Sequence, residues 1–183
     1  MKKFMLALAV TLAVAACAFA DQPALPLLGQ PALLTPFGQS QDANSVKLMT
    51  KKFNVDYQMA CFADRLDWSQ YKVMIVVLGG SGKGLGAAGL DIPSELERCK
   101  ALVATAKEKG VKILAMHIGG QDRRGPNSEP FLTFAGEADF TIVRADGNAD
   151  EYFTKLCAEK NVPLYTIEKT GDLRKVMPEI LGK

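Results

Sequence analysis

Three short segments hold most of the side chains able to do chemistry. Gly79-Gly80-Ser81-Gly82-Lys83-Gly84 offers a hydroxyl, an ammonium and several glycine N–H groups. His117-Ile118-Gly119-Gly120-Gln121-Asp122-Arg123-Arg124 adds the one histidine of the chain and two guanidinium groups, and Gly38-Gln39-Ser40 adds neutral hydrogen-bonding groups. A point charge, a planar guanidinium fork and exposed backbone amides together suit a carboxylate or a phosphate. In the resulting anion site, Lys83 and Arg124 neutralise the ligand and Arg123 assists or faces solvent. Ser81 and His117 hydrogen-bond it, the amides of Gly80, Gly82, Gly84, Gly119 and Gly120 surround it, and Gln39, Ser40 and Asn148 line the far wall. The plainer alternative pairs Arg123 and Arg124 with Asp122 and Glu129 on a solvated loop.

Stricter motifs fail. A Walker A loop needs a glycine five residues before Gly82 and a hydroxyl after Lys83 to reach magnesium, but the chain has Val77 and Gly84 there. Gly84-Leu85-Gly86-Ala87-Ala88-Gly89 matches G-x-G-x-x-G by letters. That match begins several residues beyond the apolar run, and no acid closes the next run, which ends at His117, so a glycine-rich lid or turn is the better reading. Gly79-Gly80-Ser81-Gly82 resembles the start of a nucleophile elbow, with Lys83 where its second glycine belongs. A hydrolase or transferase using Ser81 and His117 is therefore the rival to binding, and an interaction domain with no small ligand is the third reading. No cofactor and no metal ligand set is expected.

The elements that carry these segments are legible from pattern. Val73–Leu78 is an unbroken apolar run, the signature of a strand covered on both faces. Pro31–Phe37, Val111–His117, Asp139–Arg144 and Val162–Ile167 read as further strands, with Asn54–Gln58 as a weaker one. Between them, Ala43, Val46, Met49 and Phe53 mark a helix that Ser40 or Asp42 can cap. Asp91 and Pro93 open a longer helix with Leu96, Cys99, Val103 and Ala106 on one face, closed by Gly110. A single helical turn near Ala63–Leu66, with Trp68 packed beside it, and a short helix over Pro130–Gly136 follow the same reasoning. Asp150 begins a helix burying Tyr152, Phe153, Leu156 and Cys157, and Asp172 caps the last, which runs to Leu181. Strands alternating with helices imply an α/β domain: one doubly wound, mostly parallel sheet of five to six strands, Rossmann-like or flavodoxin-like, with helices on both faces. In such sheets ligands sit at the carboxyl ends of the strands, where the glycine-rich segments fall.

The first twenty residues have the layout of a signal peptide, with Lys2 and Lys3, an apolar run from Phe4 to Ala16, then small residues. Ala18-Phe19-Ala20 fits ordinary cleavage, and Val14-Ala15-Ala16-Cys17 resembles a lipobox that would anchor the protein through Cys17. The organisation is then a signal over 1–20, an extended leader over 21–30 and one domain over 31–183, exported to the periplasm or beyond. Cleavage removes two lysines and no acid, taking the formal charge from +2 to zero. A neutral chain with no basic run gives no electrostatic footprint for nucleic acid or an anionic membrane. Cys61, Cys99 and Cys157 are far apart and in no metal-ligand spacing. Cys99 and Cys157 fall on apolar helix faces, where a thiol acts as a small hydrophobe.

GGSGKGLGAAG, AMHIGGQDRRG and the early FGQS resemble segments of a family of short exported bacterial proteins classed as a domain of unknown function, from about Pro31 to Ile167. The resemblance implies a single α/β domain behind a signal peptide and directs attention to Gln39, Ser40, Ser81, Lys83, His117, Arg123 and Arg124. The expectation drawn from residues and resemblance together is an exported protein that holds a small anion, with a membrane transporter or other envelope protein as its partner and no nucleic acid.

Overall fold

The computed structural model of the protein describes residues 22–182; the signal-peptide expectation and Cys17 fall outside them. Six strands form one sheet, all parallel: β1 (Ala32–Phe37), β2 (Val55–Tyr57), β3 (Val73–Leu78), β4 (Lys112–His117), β5 (Phe140–Arg144) and β6 (Leu164–Ile167). Their spatial order is β2-β1-β3-β4-β5-β6. This is the flavodoxin-type order extended by one strand, and it resolves the two sheet types left open by the sequence.

The helices are α1 (Ala43–Met49), α2 (Gly82–Ala87), α3 (Ile92–Glu108), α4 (Glu129–Leu132), α5 (Tyr152–Lys160) and α6 (Leu173–Leu181). Side chains of β3 alternate between the two faces, as a strand's period of two requires. Met74, Val76 and Leu78 meet Cys99, Leu102, Ala106, Phe131 and Phe153 from α3, α4 and α5. Val73, Ile75 and Val77 meet Ala43 and Val46 of α1 and Val176, Met177 and Ile180 of α6. All six β3 residues are fully buried. Each contributes about 1.5–3 kcal/mol by leaving water, as an upper bound.

The leader is tied down. The Gln22 side chain donates to Thr166 O and accepts from Thr166 N, both at 2.9 Å, so its amide pairs with the exposed edge of β6. Leu28 N and Gly29 N both donate to Ile180 O of α6, and Leu25 and Leu28 pack on the core. Trp68 is buried, as expected, and its Nε1–H donates to Ala63 O at 2.9 Å. Cys61, Cys99 and Cys157 are free and buried. Burial pushes the Cys99 thiol well up, so it stays protonated.

Three helix ends differ from expectation. Asp42 stands at the start of α1 in a helical conformation and makes no side-chain cap; its carboxylate turns toward Arg123 instead. Asp172 likewise makes no cap on α6, because Oδ2 accepts from Lys169 N in the preceding turn. Asn148 shares the start of α5 with Asp150: Asn148 Oδ1 accepts from Phe153 N at 2.9 Å, and Asp150 Oδ1 accepts from Tyr152 N at 3.2 Å. In α5, Phe153 and Cys157 are buried while Tyr152 and Leu156 are only half-buried.

Candidate functional site

The strand order reverses between β1 and β3, because the chain leaves β1 toward β2 on one side and β3 toward β4 on the other. The turns after these two strands, Gly38–Asp42 and Gly79–Ser81, therefore flank the crevice where ligands bind in open parallel sheets.

The β1 turn is held from beneath by a buried ion pair. Glu95 and Arg98 of α3 are almost wholly buried; Arg98 Nε and Nη2 donate to the two Glu95 oxygens at 2.7 Å each. Arg98 also donates to Pro36 O at 2.7 Å and Cys61 O at 3.0 Å, and Gly38 N–H donates to Glu95 Oε1 at 2.9 Å. Gln39 lies above this pair in the left-handed region, with φ of 56°. Such a backbone costs a non-glycine residue about 1–2 kcal/mol and persists only where its surroundings fix it. Its Nε2 donates to both Glu95 oxygens, at 3.2 and 3.3 Å, while its buried Oε1 has no partner among the described residues. Gln39 is thus a fully buried part of the scaffold, not a wall of an open site. Ser40 is buried too, its Oγ beside Gly79 and 3.4 Å from Asp42 Oδ2.

The segment after β3 is a short helix rather than an open glycine loop. Ser81, in extended conformation, accepts from Gly84 N at 3.1 Å through its Oγ and starts α2, and Leu85 is buried as its anchor. Gly84 is required by contact, since a β-carbon there would stand 2.8 Å from Gln39 O. Several amides assigned to an anion are already used: Gly80 N donates to Ser128 Oγ at 2.8 Å, Ser81 N to Gly38 O at 2.9 Å, and Gly84 N to Ser81. The amides of Gly82 and Lys83, in the first helical turn, have no acceptor among the described residues. The Lys83 ammonium is exposed and pairs with no described carboxylate.

His117 does not meet Ser81 through a hydrogen bond. It is fully buried at the end of β4, with Nδ1 3.1 Å from Leu78 O and Nε2 3.3 Å from Gly120 O, and its ring stacks on Phe153 at 5.2 Å. Burial lowers its pKa below the usual value, although the two carbonyls favour the protonated ring. The neutral ring carries one proton and so donates to only one of these two carbonyls at a time. Gly119 and Gly120 are close-packed rather than open: a β-carbon at either would collide with Arg123 and Asp42 or with Arg144.

Arg124 is not available to an anion. It is 11% exposed and donates to Glu129 Oε1 at 3.0 Å, Gly147 O at 2.9 Å and Asp150 Oδ1 at 3.2 Å, with its guanidinium 5.0 Å from the Tyr152 ring. The pairing with Glu129 agrees with the plainer alternative, but the guanidinium is enclosed by its partners rather than lying on a solvated loop. Asn148 serves α5 as its cap and donates to Thr154 Oγ1 at 2.8 Å. Arg123 differs: its side chain is half exposed and its one ionic contact among the described residues, Nε to Asp42 Oδ1, is 3.7 Å long. That is beyond hydrogen-bond distance.

Several polar groups of this edge had not been singled out as site residues. Asp42, Ser128 and the Arg144–Asp146 pair stand among the expected residues, the last bidentate at 2.6 Å for both bonds. The Arg144 hydrogen bonds hold the Asp146 carboxyl down at about 2. The spacing of Arg144 and Asp146, two apart at a strand end, was a usable signal. So was the placing of Glu95 and Arg98 at the head of the stripe Cys99, Leu102, Val103 and Ala106, which faces the core.

A family profile matches residues 29–181, nearly all of the described chain. The chain belongs to the family described as Domain of unknown function (DUF6305). Membership agrees with the resemblance carried by the three glycine-containing segments and extends it toward both ends of the domain. No curated protein matches the sequence. Among solved structures, the chain is similar to the psychrotrophic esterase EstA from Pseudoalteromonas sp., in a structure inhibited by monoethylphosphonate. The two share 15% identity at a TM-score of 0.36, over 81% of this chain and 94% of that one. At that distance the likeness says nothing of activity.

Proposed function

We propose that this protein is an exported binding protein for a small anion, a carboxylate or a phosphate, held at the carboxyl edge of the sheet beside Lys83 and Arg123. The observation that carries the reading is the strand reversal between β1 and β3, which falls between the two glycine-rich turns. Lys83 and Arg123 follow adjacent strands, β3 and β4, and are the cations of this edge least committed to described carboxylates. Arg124 and Arg144 are spent on Glu129, Asp150 and Asp146. Their part is to hold the 121–150 loops in place. The described residues form a single lobe, which favours a second envelope protein, such as a membrane transporter, closing over the ligand.

A hydrolase using Ser81 and His117 has less support, because Ser81 Oγ caps α2 and both ring nitrogens of His117 face carbonyls. The test is a thermal-shift screen with inorganic phosphate, acetate, citrate and nucleotides. A ligand at a hundredfold excess over its dissociation constant stabilises the fold by about 2.7 kcal/mol. At about 2–4 °C per kcal/mol, that raises the melting temperature by about 5–11 °C. Lys83→Ala and Arg123→Ala abolish the shift, whereas Arg124→Ala lowers the starting temperature and keeps it. Failure of every compound to shift the folded protein would refute the reading.

A further inference from the structure

At the opposite end of the sheet, where residues 50–54 lead into β2, the helices α1 and α6 leave an open groove of about 460 Å³. Its lining is carbon from Leu48, Met49, Phe53 and Pro178 and cationic from Lys51, Lys52 and Arg174. Leu48 stands out from the surface, 68% exposed. The three cations are exposed, and none pairs with a carboxylate among the described residues. A larger apolar groove between α3 and α5 differs in this respect: its Lys100, Lys107 and Lys160 each have a glutamate partner, Glu97, Glu137 and Glu159.

We infer that the α1–α6 groove is a docking surface for an anionic phospholipid bilayer, with Leu48 entering the acyl boundary and Lys51, Lys52 and Arg174 meeting the headgroups. Unpaired cations around protruding aliphatic carbon are the footprint of interfacial binding, and each adds to the attraction of an anionic leaflet. A protein partner fits less well. Protein interfaces are depleted in lysine and carry regular hydrogen bonds, whereas this lining offers no amide, hydroxyl or carboxylate side chain. Acyl chains need none. The neutral balance of the chain as a whole gave no footprint for an anionic membrane; this local one was hidden because Lys51 and Lys52 lie early in the chain and Arg174 near its end, brought together only by the packing of α1 on α6.

The test is co-sedimentation of the purified full chain with vesicles of phosphatidylglycerol in phosphatidylcholine, beside vesicles of phosphatidylcholine alone. The comparison is with the triple variant Lys51→Gln/Lys52→Gln/Arg174→Gln and with Leu48→Ser. All four side chains are exposed, so the variants keep the fold, and circular dichroism checks this. Because residues 1–21 are common to all of these proteins, the variants isolate the groove. Each cation near an anionic surface strengthens binding about fivefold, so the triple variant binds phosphatidylglycerol vesicles about a hundredfold more weakly. High salt weakens the wild type in the same direction. Equal sedimentation of wild type and triple variant would overturn the proposal. So would binding to a fluorescent poly-glutamate peptide with none to the vesicles, which would point to an acidic polypeptide instead.

Discussion

Replacing Arg98 by Met removes a guanidinium and leaves the Glu95 carboxylate buried beside Gln39, with Gly38 N–H as its main remaining donor. Breaking a buried pair on one side is costly, about 3–5 kcal/mol, because an uncompensated charge stays in a place that water does not reach. Pro36 O and Cys61 O lose their donor at the same time. Against a typical total stability of about 5–15 kcal/mol, this is a large share. Urea unfolding reads it directly, since Trp68 is the one tryptophan and is buried in the described fold. With a slope of about 2 kcal/mol per molar urea, the midpoint falls by about 1.5–2.5 M. The double variant Arg98→Met/Glu95→Leu separates charge from packing. With both charges gone it recovers part of the loss, while the orphaned Gly38 N–H and Pro36 O keep some of the cost. A midpoint shift for Arg98→Met below about 0.5 M would refute the claim that this pair holds the β1 turn.

Other changes have equally definite outcomes. Gly80→Ala drives a β-carbon into the Asn127 carbonyl and strains the Gly80–Ser128 hydrogen bond, so it lowers stability by about 1–3 kcal/mol in a thermal melt. Gly86→Ala meets open space in α2 and raises stability by up to about 1 kcal/mol in the same assay. His117 is the only histidine, and its folded pKa lies below the unfolded value of 6.5. The unfolded chain therefore takes up its proton first as pH falls. This contribution to stability is complete above pH 6.5 and is lost as pH drops through the folded pKa, and His117→Gln flattens the slope in urea titrations run below pH 6.5. Arg124→Ala, which unpairs Glu129 and Asp150, lowers the melting temperature, with no change in phosphate affinity measured by calorimetry.

The centre of the sheet was readable because β3 and the interior of β4 are apolar runs followed by glycine-rich segments; Val73–Leu78 and Lys112–His117 stand where that pattern put them. Export was read from residues outside the described chain, so the fold does not bear on it. Three glycines in six residues argue against a helix by propensity, yet α2 forms because Ser81 caps it and Leu85 anchors it, contacts that only the tertiary structure supplies. Glu95 and Arg98 were passed over because charges on a helix usually face water. Arg124 and His117 were rightly placed at the carboxyl edge, but residue type could not tell an exposed cation from one enclosed by Glu129, Asp150 and Gly147. Only packing distinguishes the exposed Lys83 from the enclosed Arg124.

Anion binding at the carboxyl edge is tested most directly by a titration of the isotopically labelled protein with inorganic phosphate, then citrate, followed by amide nuclear magnetic resonance. Binding there gives saturable shifts concentrated at Gly80, Ser81, Gly82, Lys83 and Arg123, absent in the Lys83→Ala/Arg123→Ala protein. Shifts that never saturate, or that gather elsewhere in a folded protein, would contradict it.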